Sequence, residues 1–165
     1  MALRNIVVEG DPILNKHCRP VEKFDKKLAQ TIDDMIETMN NANGVGIAAP
    51  QIGMLRRLCV VMPDPEEHPE VILELVNPEI VESEGEQEGY EGCLSVPGYI
   101  GRVVRPEYVK VKAYDRNGDA YMYELTGFAA VVASHEIDHL DGILYTSKAE
   151  DVHIPQPEED AEPAD

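Results

Sequence analysis

Apolar residues recur at spacings of three and four between positions 24 and 41. Phe24, Leu28, Ile32, Met35, Ile36 and Met39 fall on one stripe, with Asp, Lys, Gln, Thr and Glu between them. That period predicts an amphipathic helix, and Asn43-Gly44 supplies its stop. Ahead of it, Ile6-Val7-Val8 is a short strand candidate closed by the turn signal Gly10-Asp11-Pro12. Behind it, residues 44–51 are a Gly/Ala/Pro segment whose composition predicts a loop rather than a regular strand. Arg57 to Met62 reads as a buried strand bounded by Pro63-Asp64-Pro65. Val71 to Val76 and Glu79 to Glu82 are further candidates, parted by Asn77-Pro78.

Residues 85–98 contain four glycines and few strong strand formers, and they predict a loop. Val103-Val104, Tyr108 to Tyr114 and Ala120 to Leu125 read as strands, and Asn117-Gly118 between the last two is a strong hairpin signal. Phe128 to Leu140 reads as a second helix, closed at Asp141-Gly142, where glycine suits a left-handed cap. Helix, hairpin-spaced strands, then helix predicts an α+β domain with mostly antiparallel sheets packed around the second helix.

Composition narrows the picture. A chain of 165 residues fits one domain. Its catalytic part is expected over residues 1–149. From Glu150 the pattern breaks: residues 150–165 hold seven acidic residues, three prolines and no Lys or Arg, which predicts a disordered acidic tail. The net charge of −18 argues against nucleic-acid binding, which needs basic patches. It argues equally against docking on anionic lipid. No signal segment or membrane-length apolar run is visible, so the cytoplasm is the expected location. Cys18, Cys59 and Cys93 are too few, and odd in number, for a disulfide framework.

The strongest chemical signal is His135-Glu136-Ile137-Asp138-His139, an HExxH pattern. On a helix, residues four apart lie one turn above each other, so both imidazoles reach one metal ion while Glu136 stands where a general base belongs. Two solvated histidines on an ordinary helix are the plain alternative. A catalytic site of this kind needs a third protein ligand and an open position for water. The metzincin spacing would put that ligand at position 145, but the residue there is Tyr145. A thermolysin-like acid downstream leaves only Glu150, inside the expected tail. The third ligand is therefore expected upstream.

Cys93, in Glu91-Gly92-Cys93-Leu94-Ser95, fits that place, because a thiolate is a good soft ligand for zinc or ferrous iron. Most lone cysteines are simply small buried hydrophobes. Cys59, inside an apolar strand, suits that description, and so does Cys18. The segment Gly44 to Gln51 lets backbone approach a ligand closely, and Gln51 is placed to donate to a developing oxyanion. Its alternative is a helix-ending loop with an exposed Gln.

Together, GVGIAAPQ at 44–51, EGCLS at 91–95 and HEIDH at 135–139 resemble the three motifs of the peptide deformylase family, in the same order and at similar spacing. The resemblance runs from GDPIL at 10–14 to about Tyr145. It implies a metal-dependent hydrolase that removes the N-formyl group from the initiator methionine of nascent polypeptides. It implies a divalent metal, usually Fe²⁺ with Zn²⁺ or Ni²⁺ as substitutes, held by Cys93, His135 and His139. Glu136 would move the proton, and the Gln51 side chain with the Leu94 backbone N–H would steady the oxyanion. Phe128, Val131 and Val132 would line a methionine pocket, or serve only as core. Backbone at Val45, Gly46, Glu91 and Gly92 would carry the peptide.

Two departures stand out. Ser134 replaces the Gln usual before the first motif His. Some bacterial members dock on the ribosome through a basic C-terminal helix, whereas this acidic end would be repelled by rRNA. A monomer is expected. Two rival readings fit the same sequence: another HExxH peptidase with a downstream ligand, and a non-catalytic metal- or peptide-binding relative.

Overall fold

The computed structural model describes residues 2–156 and shows a mixed helix and antiparallel-sheet fold. Helix α1 (Lys26–Asn41) starts where the Asp25 side chain accepts the Leu28 N–H, and it buries Leu28, Ile32, Met35 and Met39. Strand β1 (Gly46–Ala48) pairs with β2 (Leu58–Val61), which pairs with β3 (Leu73–Glu84). Strand β4 (Gln87–Cys93) forms a hairpin with β5 (Val96–Arg105). Strands β6 (Tyr108–Tyr114) and β7 (Ala120–Thr126) follow, then helix α2 (Phe128–Leu140) and strand β8 (Glu150–His153). One sheet runs β1-β2-β3-β6-β7 and the other β4-β5-β8, every named pair antiparallel. Helix α2 lies against β1, β2, β5, β6 and β7. Ala130, Ala133 and Leu140 are fully buried there, which is why its sequence is apolar on most sides.

Five expectations need correction. Ile6 to Val8 form no strand; Val7 N–H donates to the Gln51 carbonyl and Glu9 N–H to the Ser95 carbonyl, which tacks this segment to the site instead. Residues 46–48 are a strand despite their Gly/Ala content, because they pair with β2, and glycine at 46 leaves room for Glu136 of α2. The two candidates on either side of Asn77-Pro78 are one strand, β3. Asn77 sits at φ +50 beside a register shift, and its side chain holds Val21 N–H and carbonyl. A bulge of that kind tolerates a proline that cannot donate.

Residues 85–98 contain most of the β4–β5 hairpin rather than a loop. Gly85 takes a left-handed conformation at φ +69 where the chain turns from β3 to β4, and Gly98 takes one at φ +85 inside β5, while cross-strand pairing carries the rest. The expected tail also starts too early, since residues 150–153 form β8 against β5. Gly101 makes this possible: a Cβ there would meet Ala149 Cβ at 2.8 Å and Val152 Cγ2 at 3.0 Å. The remainder of that expectation, residues 157–165, lies outside the described residues.

Candidate active site and metal centre

Helix α2 carries His135, Glu136 and His139 inward, with exposures of 3 %, 0 % and 0 %. Cys93 closes β4 just before the two-residue turn Leu94-Ser95 and is equally buried. One ligand atom each from Cys93, His135 and His139 lies within 4.8 Å of the other two. Cys93 Sγ stands 3.5 Å from His139 Nε2. A thiol and two imidazoles converging this closely are a donor set for zinc, ferrous iron or a similar divalent ion.

The His135 ring is oriented from behind. Its Nδ1 lies 2.9 Å from Glu91 Oε1, so the carboxylate holds the proton there and turns Nε2 to the ligand cluster. Arg105 grips the same carboxylate through Nε and Nη2, both at 2.9 Å, and reaches Asp138 through Nη1 at 2.7 Å. Burial by itself would push the Glu91 carboxyl up. The Arg105 and His135 hydrogen bonds outweigh it and hold the group below its usual range. Arg105 is raised further above its ordinary value by the same two carboxylates, against the cost of burial.

Gln51 sits on a short 3-10 turn, Ala49–Ile52, and is fully buried. Its Oε1 accepts the Ala48 N–H at 2.9 Å, which fixes the amide so that Nε2 faces Ser95 Oγ at 3.1 Å and Cys93 Sγ at 3.6 Å. Leu94 occupies the adjoining hairpin turn. Gly46 presses on Glu136: a Cβ at position 46 would stand 2.8 Å from Glu136 Oε2 and 2.9 Å from its Cγ. Gly46→Ala is therefore expected to displace that carboxylate and lower kcat by about 10²-fold, the cost of a misplaced catalytic group. Circular dichroism and metal content should match wild type; equal kcat would show that the close packing is immaterial.

A cavity of about 190 Å³ opens beside His135. It is smaller than the roughly 300–1,000 Å³ of drug-sized sites and nearer the scale of one side chain. Val45, Glu91, Gly92, Phe128, Val131 and Val132 all line it; Gly46 does not, lying against Glu136 instead. Strands β1 and β4 are each paired on one side only among the described residues.

The chain matches the family model described as polypeptide deformylase over residues 3–154. It is 53% identical over 148 residues to a peptide deformylase of Lachnoclostridium phytofermentans, covering 90% of each chain. It is 47% identical to peptide deformylase 1 of Bacillus subtilis, covering 90% of this chain and 91% of that one. The chain belongs to the polypeptide deformylase family. Its fold agrees: the crystal structure of a peptide deformylase from Legionella pneumophila superposes with a TM-score of 0.86 at 45% identity, covering 91% of this chain and 88% of that one.

For a deformylase reading, several residues matter that the sequence alone did not single out. Arg105 and Ser95 are two, placed by the contacts above. Tyr145 is another: it is no ligand, but its ring stacks on His135 with centroids 5.9 Å apart, and its hydroxyl donates to the Tyr99 carbonyl. At six residues past His139 it stands where the metzincin spacing would need a His, and no local pattern marks it for stacking. Glu150, the other downstream candidate, lies on β8 and pairs with Arg102 of β5. Burial pushes the Cys18 thiol up to about 11 and the Cys59 thiol well above its usual range, so both stay protonated and structural. Ser134 is buried on α2, and its hydroxyl has no hydrogen-bond partner among the described residues.

Proposed function

We infer that the chain removes the formyl group from the N-terminal formylmethionine of nascent polypeptides, releasing formate. The observation that carries this is the convergence of Cys93, His135 and His139 beside a buried glutamate, Glu136, in a chain of this family. Those three side chains would hold one divalent ion, Fe²⁺ in the cell as the resemblance to the family implies, with Zn²⁺ or Ni²⁺ as substitutes that the same donors accept. When bound, such an ion supplies Lewis-acid polarisation of the formyl carbonyl and acidifies water.

The chain's own residues do the rest. Glu136 accepts the proton of the attacking water and delivers it to the departing amine. The Gln51 Nε2–H and the Leu94 backbone N–H donate to the oxyanion as it forms, the first already aimed by the Ala48 N–H. Phe128, Val131 and Val132 receive the methionine side chain. Backbone groups at Val45 and Gly46, where β1 begins, and of β4 at Glu91 and Gly92, pair with the peptide as neighbouring strands do.

In this reading the protein works as a monomer in the cytoplasm, without nucleic-acid or membrane contact. No helix among the described residues is long and apolar enough to cross a membrane. The test is anaerobic turnover of formyl-Met-Ala-Ser and acetyl-Met-Ala-Ser by fully metallated protein. Formate from the first and no acetate from the second is the expected result. Metallated protein that releases no formate would move the site to another acylated peptide.

A further inference from the structure

The side chains of β4 alternate between two faces. Gln87 and Glu91 point inward, Gln87 to the carbonyls of Gly127 and Pro106 and Glu91 to His135 and Arg105. Glu88 and Tyr90 lie on the outer face. There Tyr90 crosses above β5 and donates its hydroxyl to Asp151 Oδ2 on β8 at 2.7 Å, with His153 set edge-on to its ring at 5.6 Å. Arg102, directly opposite Tyr90 on β5, bonds Glu88 on one side and Glu150 on the other, both at 2.9 Å. Asp151 adopts φ +56, an uncommon conformation for a non-glycine residue. His153 Nδ1 lies 2.7 Å from the Asp151 carbonyl oxygen and closes that local turn. The outer face is thus lashed across all three strands.

We propose that β8 is a working part of the substrate cleft: through Tyr90 and Asp151 it braces the singly paired strand β4, and both are positioning residues for the peptide backbone. The proposal rests on the reading of β4 as the strand that pairs with substrate. An edge strand held by one neighbour flexes along its open side, and each hydrogen bond offered to a peptide is weakened by the freedom it must then lose. The Tyr90–Asp151 bond removes part of that freedom beforehand. A plainer role for β8, covering the edge of β5, would affect stability but not substrate binding.

The test uses full-length, metal-loaded protein as wild type, Tyr90→Phe, Asp151→Ala and the double variant. KM and kcat are measured for formyl-Met-Ala-Ser and for formyl-methionine amide, which has no further backbone to pair. Loss of one such hydrogen bond is expected to raise KM for the tripeptide roughly fivefold. The kcat should stay within about twofold, as for lost binding that is uniform between ground and transition states. KM for the amide should not move, and the double variant should be no worse than either single one. Tripeptide KM unchanged, or both substrates weakened alike, would overturn the proposal while leaving the deformylase activity standing. Amide hydrogen exchange across residues 87–92 decides the brace independently of turnover. It should quicken in Asp151→Ala, and equal exchange in both proteins would sink the idea even if wild type released no formate.

Discussion

Glu136→Gln is expected to lower kcat by about 10²–10⁴-fold, the usual contribution of a positioned general acid-base, while metal content and unfolding midpoint stay near wild type. The substitution keeps the shape of a side chain that is 0 % exposed and wedged against Gly46. It removes only the ability to take up and return a proton. The ligand cluster does not include Glu136, so the ion should remain. Single-turnover formate release with metal analysis distinguishes the outcomes. A slow, fully metallated variant supports the base role. A variant as fast as wild type would assign the proton to another group, and a slow variant without metal would make Glu136 a structural neighbour of the ligands.

Arg105→Met should cost about 3–5 kcal/mol of stability, because it strands a buried carboxylate whose charge was matched. Arg105 is 3 % exposed, and its two bonds to Glu91 are the strongest opposition to that residue's burial. The same change frees Glu91 to shift away from His135, so metal affinity should fall about 10–100-fold. Its pH signature is distinctive. In wild type the Glu91 carboxyl is held below its usual value near 4.5. Its contribution is therefore present above that value and lost as pH falls through the lowered one. Without Arg105 the strongest counterweight to burial is gone, and the folded-state carboxyl binds its proton more tightly than in wild type. The variant's deficit should then shrink on acidification into the carboxylate range. Urea unfolding at pH 7 and about pH 4 measures both. A deficit under 1 kcal/mol, or one that widens on acidification, would contradict this account.

What could be read in advance follows from which physical signals are local. The HEIDH pattern depends only on helix geometry, and the apolar run from Phe128 fixes that helix, so His135, Glu136 and His139 were legible without a fold. Cys93 emerged because no downstream ligand fits. The hairpin at Asn117-Gly118 was equally local, with Gly118 at φ +85. The misreadings share the opposite cause. Strand β1 and the β4–β5 hairpin are glycine-containing segments whose pairing overrides propensity. Strand β8 is acidic, and only its partners Arg102 and Tyr90 reveal it as ordered. The Glu91–Arg105 clamp joins residues 14 apart across a hairpin whose glycine-rich first part predicts a loop. No local pattern marks such a pair.

Every step of the proposed reaction depends on Cys93, His135 and His139 binding the catalytic ion together. X-ray absorption at the zinc edge of zinc-loaded protein tests it directly, beside Cys93→Ser. One sulfur at about 2.3 Å and nitrogen ligands at about 2.0–2.1 Å are expected, with the sulfur lost in the variant. A wild-type spectrum without sulfur, or one unchanged by Cys93→Ser, would contradict the site.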